Sequence, residues 1–499
     1  MRPRVVWATW LAGLCAAILS VRVAVADDDT VLFDFETEAD VAAWANIDIY
    51  ALREAEAKAA ADEAARKAKD TAKAPVYKPP APAPKEPPVK IEWTSSNATR
   101  GQHALKLTFG GGRLPAISIR SPLEDWRKYK AFLADVTASR TCMVISRAMD
   151  RSSKWGTGYN EGCSRWEFAA RLEPGRNAVV ARAPQYADRL WRSVQTVQIY
   201  MYQPHEGESI TVDNIRLSPN RAEGVTPFGD SLAVPPGGYK VLGTDWTVKD
   251  VTDLAARLKG QWTKPEDKTV EQLEGEVRAE YEKIKAGHPK AILVMLRDGQ
   301  KGYAPADPGK PFAGWEDAGT PSHGPMALTM GCFGNSGKSE RIETCFRNRP
   351  GFLRVDLSSI PKGAEILTAR LIVARSVDMG NRWATQPTLY VAEPCNRPWN
   401  EYEVNVFEYA RDKFWSQYAA MTWGDKGDCT AVLLAYGPSG GKASSWDFTQ
   451  AVRYWPDGQH PNHGFILYGV PNTDYLNVFT RECRYIKNRP CLAVVYEPK

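Results

Sequence analysis

Apolar and polar residues alternate most plainly between Phe352 and Val373. Leu353, Val355 and Leu357 alternate with Arg354 and Asp356, the period-two signature of a strand with one buried face. Ile360-Pro361-Lys362-Gly363-Ala364 interrupts it. Proline fixes φ and glycine accepts a positive φ, so the chain turns here instead of pairing further. A second alternation follows, with Leu367, Ala369, Leu371 and Val373 on one face. Strand, Pro-Gly corner and strand predict an antiparallel β-sandwich.

The same pattern recurs earlier. Strands are predicted at Val31–Glu36, His103–Phe109, Ala131–Val136, Trp166–Phe168, Ala178–Val180, Val194–Tyr202 and Ile210–Leu217, which makes residues 27–220 a first sandwich. An insertion at 51–90 interrupts it. Ala51 to Ala74 is rich in Ala, Glu and Lys without a wide apolar stripe, and a run of prolines from Pro79 to Pro88 follows. These compositions predict a solvated, partly helical segment and then an extended one. Residues 221–290 read as a linker opened by Pro235-Pro236-Gly237-Gly238, with helices over Val248–Lys259 and Thr269–Lys285. Leu273, Val277 and Ile284 share one face of the second helix. Ala291–Leu296 begins a second sandwich, 291–499, in which Gly302 to Pro325 reads as a long loop. The predicted class is all-β: two antiparallel, jelly-roll-like β-sandwich domains joined by a partly helical linker.

Composition changes this picture in three places. Arg2 and Arg4 precede an apolar run from Val5 to Val21, and Ala24-Val25-Ala26 supplies a small-residue cleavage site. Residues 1–26 therefore read as a signal peptide, and the protein is expected to be exported to the periplasm, cell surface or medium. No run reads as a membrane span. The net charge of +5, from 64 basic and 59 acidic side chains, is nearly balanced, so nothing calls for nucleic acid. Tryptophan is the outlier: the 17 in this chain are about twice ordinary usage. Beyond Cys15, eight cysteines occur with no C-x-x-C knuckle, which in an exported chain points to disulfides rather than zinc. Nearest-neighbour pairing gives Cys142–Cys163, Cys332–Cys345, Cys395–Cys429 and Cys483–Cys491, each closing one loop.

The run Leu353-Arg-Val-Asp-Leu-Ser-Ser-Ile-Pro-Lys-Gly-Ala364 resembles the opening of the disaggregatase-related, or DNRLRE, domains, also filed as carbohydrate-binding module family 96. Trp399-Asn400-Glu401, Thr422-Trp423-Gly424, Trp446 to Trp455, Asn462 to Leu467, Arg481-Glu482 and Arg489 to Tyr496 follow that family's later blocks in order. The resemblance implies a β-sandwich that binds polysaccharide, with an association with alginate-like polymers. In the first sandwich, an opening Asp-Phe-Glu strand paired with a closing Val-Asp-Asn-Ile-Arg-Leu strand is similar to galactose-binding-like jelly rolls. That similarity implies a structural Ca2+ at Asp34, Glu36 and Asp213, oxygen ligands suited to that ion.

Candidate chemistry divides into binding and catalysis. Arg151, Arg165 and Arg192 stand near Trp155, Trp166 and Trp191, and Trp399 and Trp423 lie in the family blocks. Indole faces stack on sugar rings and guanidinium forks bind carboxylate or sulfate. Between Ile91 and Leu217 bases outnumber acids and are mostly arginine, which favours an anionic polymer. For catalysis, Glu401, Asp425, Asp428 and Asp447 lie near tryptophans, and a carboxylate pair supports glycoside hydrolysis. Gly331 to Ser339 imitates a phosphate loop, but Cys332 stands where glycine is required. His460-Pro461-Asn462-His463 reads as a turn rather than a metal fragment. The expectation is an exported polysaccharide-binding protein without a catalytic centre. A polysaccharide-degrading hydrolase or lyase and an adhesive surface protein are the alternatives.

Overall fold

The computed structural model describes residues 29–48, 86–150, 165–183, 191–220, 235–258, 266–301, 303, 314–319, 341–344, 350–375, 388–416, 422–423, 427–439, 441–455, 460–469 and 476–499. The predicted insertion and the phosphate-loop look-alike fall outside these residues, save for the tail of the insertion from Glu86 onward.

Within 30–218 two antiparallel sheets face each other. One runs Lys90–Thr94, Ala104–Gly110, Glu206–Ser218, Ala131–Ala138, Gly175–Arg182, with Thr30–Phe33 also paired to Glu206–Ser218. The other runs Ala45–Ile47, Ala116–Arg120, Val194–Met201, Cys142–Asp150, Arg165–Leu172. Alternate residues such as Leu105, Leu107, Val144, Phe168, Val197, Ile199 and Val212 fill the space between them, as period-two burial requires. Val89, expected in the insertion, is buried in this core.

Two further sheets face each other within 292–497. One runs Ile292–Leu296, Cys491–Glu497, Glu365–Ala374, Ala443–Asp447; the other runs Trp315–Gly319, Gly351–Val355, Phe465–Gly469, Thr388–Pro394, Ala435–Ser439. Leu353, Val355, Leu371, Val373, Leu467 and Val494 pack between them. Trp315–Gly319 lies inside the stretch expected to be a loop. Its two acids and closing glycine disguise an edge strand, since these residues are depleted in strands.

Strand Gly351–Val355 departs from the prediction of one buried face, because all five of its residues are buried. Leu353 and Val355 enter the sandwich core, while Phe352 points outward into a third apolar layer. That layer lies between the two sandwiches. Met143, Ile145, Ala169, Tyr200 and Tyr202 supply it from the first, and Phe352, Val391, Ile466, Tyr468, Phe407 and Trp415 from the second. Tyr239, Val241, Val248, Val251 and Leu254 of the expected linker lie in the same layer.

The linker is therefore woven into the structure. Its strand Tyr239–Val241 pairs in parallel with Val432–Leu433. Helix Val251–Arg257 starts at an Asp250 cap, whose carboxylate accepts from Thr252 N and Asp253 N. Helix Val270–Gly287 starts at a Thr269–Gln272 capping box and lays Val270, Leu273 and Val277 on Ile372, Ala374, Ala443 and Ala493 of the outer sheet. Among the described residues no helix is long and apolar enough to cross a membrane.

Candidate functional site

Most tryptophans named as sugar platforms are structural. Trp166 and Trp191 lie in the first core, with ring centroids 5.1 Å apart and nearly perpendicular. Trp126, Phe132 and Phe168 cover their remaining faces, so neither indole is open to a sugar. Trp399 is buried in the layer between the sandwiches, where Arg354 stacks on it and its Nε1 donates to His463 O at 2.7 Å. Trp423 is half-buried, donating to Glu393 with its ring edge against Tyr239. Arg192 is exposed. Arg151, Trp155 and the Arg165 side chain lie outside the described residues.

The carboxylates are mostly engaged as well. Asp428 is fully buried and holds a loop together: its oxygens accept from Arg397 Nε, Ser416 N and Oγ, and Thr422 Oγ1 at 2.8–3.1 Å. Asp447 is exposed and accepts from Thr449 N at 2.9 Å, at the start of helix Thr449–Tyr454. Asp425 lies outside the described residues.

Glu401 is different, because the fold brings other carboxylates to it. Asp317, on the inner face of edge strand Trp315–Gly319, and Glu482, just beyond strand Leu476–Phe479, each place an oxygen within 4.8 Å of one of its own. Glu401 Oε1 accepts from Asp317 N at 2.9 Å, and its Oε2 accepts from Arg481 at 2.6 Å. Arg481 also donates to Glu482 Oε1 at 3.1 Å and to the hydroxyl of the exposed Tyr402 at 2.7 Å. Burial pushes the Glu401 carboxyl up to about 7, against the lowering effect of the Asp317 amide and Arg481. Asp317 is raised well above its ordinary value, by burial first and then by the charge of Glu482. Burial also raises Glu482, opposed by Arg481. Alongside, Glu316 and Arg354 form a buried ion pair. Asp317 sits in the presumed loop, so sequence spacing gave no sign that it would meet Glu401.

Of the residues expected to hold calcium, Asp213 and Glu36 accept hydrogen bonds from the neighbouring backbone. Asp213 Oδ2 accepts from Thr99 N and Oγ1 and from Arg100 N at 2.5–2.9 Å, while Oδ1 accepts from Asn214 N at 2.6 Å. Glu36 accepts from Gln102 N and His103 N, and Asp34 is half-buried nearby in the chain. Among the described residues the three-carboxylate grouping is Asp317, Glu401 and Glu482, and Asp34, Glu36 and Asp213 form none.

No protein-family model and no curated protein matches this chain. Solved structures do. The family 11 carbohydrate-binding module from Clostridium thermocellum, in complex with a β-1,3-1,4-mixed-linked tetrasaccharide, aligns at TM-score 0.24 and 13% identity, over 40% of this chain and 99% of the module. The CBM22-1–GH10 modules of Clostridium thermocellum xylanase 10B, complexed with xylohexaose, align at TM-score 0.24 and 9% identity, over 39% and 29% of the two chains. An exo-β-agarase aligns at TM-score 0.21 and 11% identity, over 27% and 23%.

The expected disulfides are not formed among the described cysteines. Cys142, Cys395, Cys483 and Cys491 are buried free thiols, so neither Cys395–Cys429 nor Cys483–Cys491 is joined. Cys395 and Cys429 nevertheless lie opposite each other across an antiparallel bridge. Cys163, Cys332 and Cys345 lie outside the described residues.

Proposed function

We propose that the chain is an exported polysaccharide-binding protein that recognises an anionic polymer, a uronate or sulfated glycan, without cleaving it. The supporting observation is a basic rim at one end of the first sandwich. Trp126 N donates to Trp191 O at 2.7 Å and Val194 N to Glu124 O at 2.7 Å, so segments 121–130 and 191–195 run side by side. Their buried tryptophans act as pegs, and charged residues beside them are exposed. Arg120, Arg127, Lys128, Lys130, Arg182 and Arg192 are exposed there; Glu124 pairs with Arg120 and Asp125 with Arg127, which leaves Lys128, Lys130, Arg182 and Arg192 in excess. A row of cations with few acids suits a repeating anion.

Retention on immobilised alginate or a sulfated glycan tests this. It is expected to fall steeply as salt rises, because the Debye length shrinks from about 10 Å at 0.1 M to about 3 Å at 1 M. The double variant Arg127→Ala/Arg192→Ala should elute earlier at every salt. Salt-indifferent binding to neutral cellulose or xylan would refute the anionic ligand.

One observation favours a second reading, a polysaccharide hydrolase or lyase. Glu401 stays partly protonated near neutrality beside two other carboxylates, a pairing that acid–base cleavage uses. Reducing-end and unsaturated-uronate assays on the same polymers separate the two readings.

A further inference from the structure

We infer that Asp317, Glu401 and Glu482 bind a divalent hard cation, with Ca2+ the ion that fits their chemistry. The inference stands apart from the polysaccharide reading, since the ion would tie an edge strand to two loops whether or not a polymer is bound.

Hydrogen-bond accounting points to a missing ligand. Asp317 has no exposed surface. Its Oδ2 accepts from Trp315 Nε1 at 3.0 Å and from Arg481 N at 2.8 Å. Its Oδ1 accepts nothing among the described residues, although it is buried. Glu482 repeats the pattern: Oε1 accepts from Arg481, the Thr480 side chain also bonds the carboxyl, and the buried Oε2 accepts nothing among the described residues. Buried polar atoms are rarely left unpaired. Here two such oxygens come from residues far apart in sequence that share one carboxylate cluster.

Charge and donor type narrow the ligand. Three carboxylates face one guanidinium, Arg481, so two negative charges stay unbalanced when all are ionised. One divalent cation balances them. The donors are all oxygen, with no imidazole or thiolate, which selects a hard ion over zinc or copper. Ligand oxygens 2.3–2.6 Å from a Ca2+ ion lie within about 5 Å of one another, which the 4.8 Å grouping satisfies. Glu482 keeps about a fifth of its side chain exposed, leaving an entry path and room for water in the remaining coordination positions.

The test uses Tb3+, a luminescent substitute for Ca2+, on the full chain stripped with chelator. Trp315 donates directly to Asp317, so excitation of tryptophan should sensitise a bound Tb3+. The expected result is saturable emission that Ca2+ displaces. Glu482→Gln, at a partly exposed position, should weaken Tb3+ binding at least tenfold while the far-ultraviolet circular dichroism stays unchanged. Asp317→Asn should abolish the emission, and Asp213→Asn should leave it intact. Emission that is absent in the parent, or unchanged in Glu482→Gln, or lost only in Asp213→Asn, would overturn the inference.

Discussion

Arg354 shows how one residue can be legible in type and illegible in setting. The alternation of Leu353, Arg354 and Val355 places arginine on the face opposite the core, and that is where it lies. What covers that face is Trp399 from 45 residues downstream and Glu316 from a neighbouring strand. Periodicity reports which side a residue takes, and nothing about what arrives there later in the chain. Arg354→Ala should cost about 3–5 kcal/mol in urea unfolding, because it strands the buried Glu316 charge. Arg354→Met with Glu316→Leu should cost much less. Trp191 and Arg192 make a matching pair of tests. Trp191→Ala, which empties a fully buried site, should cost about 3–5 kcal/mol. Arg192→Ala should stay within about 0.5 kcal/mol of the parent yet weaken retention on alginate. A reversed pattern would return Trp191 to the binding surface.

At the scale of elements, long alternating strands and capped helices were readable, whereas short edge strands were not. Ala131–Ala138 and Glu365–Ala374 announce themselves by β-branched and aliphatic residues, and Val270–Gly287 by its apolar stripe. Trp315–Gly319 does not, and the carboxylate cluster was hidden with it. The segment expected to be a linker carries a load that composition does not reveal. Leu254, in its first helix, is fully buried between the sandwiches. Leu254→Ala should therefore destabilise by about 2–5 kcal/mol, where a true linker residue would be neutral; thermal unfolding decides. The Asn462 turn was legible, since Asn462 Oδ1 accepts from Gly464 N. Gly464 has φ +77°, and a Cβ there would meet Leu353 O at 2.2 Å. Gly464→Ala should accordingly lower the melting temperature by several degrees, about 2–4 °C for each kcal/mol lost in a domain of this size.

Four of the sheets among the described residues make up the two sandwiches, and the contact between these halves is partly ionic at the rim. Asp412 receives His205 at 2.8 Å and Arg140 at 2.6 Å, while Arg411 donates to Gln203 O at 2.9 Å. Burial would raise the Asp412 pKa, but the bonds from His205 and Arg140 outweigh it and hold the carboxyl below its usual value. A depressed carboxylate contributes stability above its unfolded pKa of about 4 and loses it as pH falls through the folded value. Thermal scans should show the two halves separating into distinct transitions below about pH 4 in the parent. In Asp412→Asn the same uncoupling should already be present at pH 7. A single pH-independent transition would show that the apolar layer alone sets the contact. Residues 291–499 expressed without 235–258 should sediment as aggregate, because the outer face around Phe352 and Ile466 loses its cover.

The parallel pairing of Tyr239–Val241 with Val432–Leu433 also sets a timetable. A ribosome completes the first sandwich once Ser218 emerges and the linker strand soon after, but that strand's partner is made only near the end of the chain. Through that interval Met143, Ile145, Tyr200 and Tyr202 face solvent instead of the apolar layer. Pairings this distant in sequence form late and leave nascent chains open to aggregation. The molecule is therefore most vulnerable while it is being made, and a chaperone that shields an apolar sheet face would act on it then.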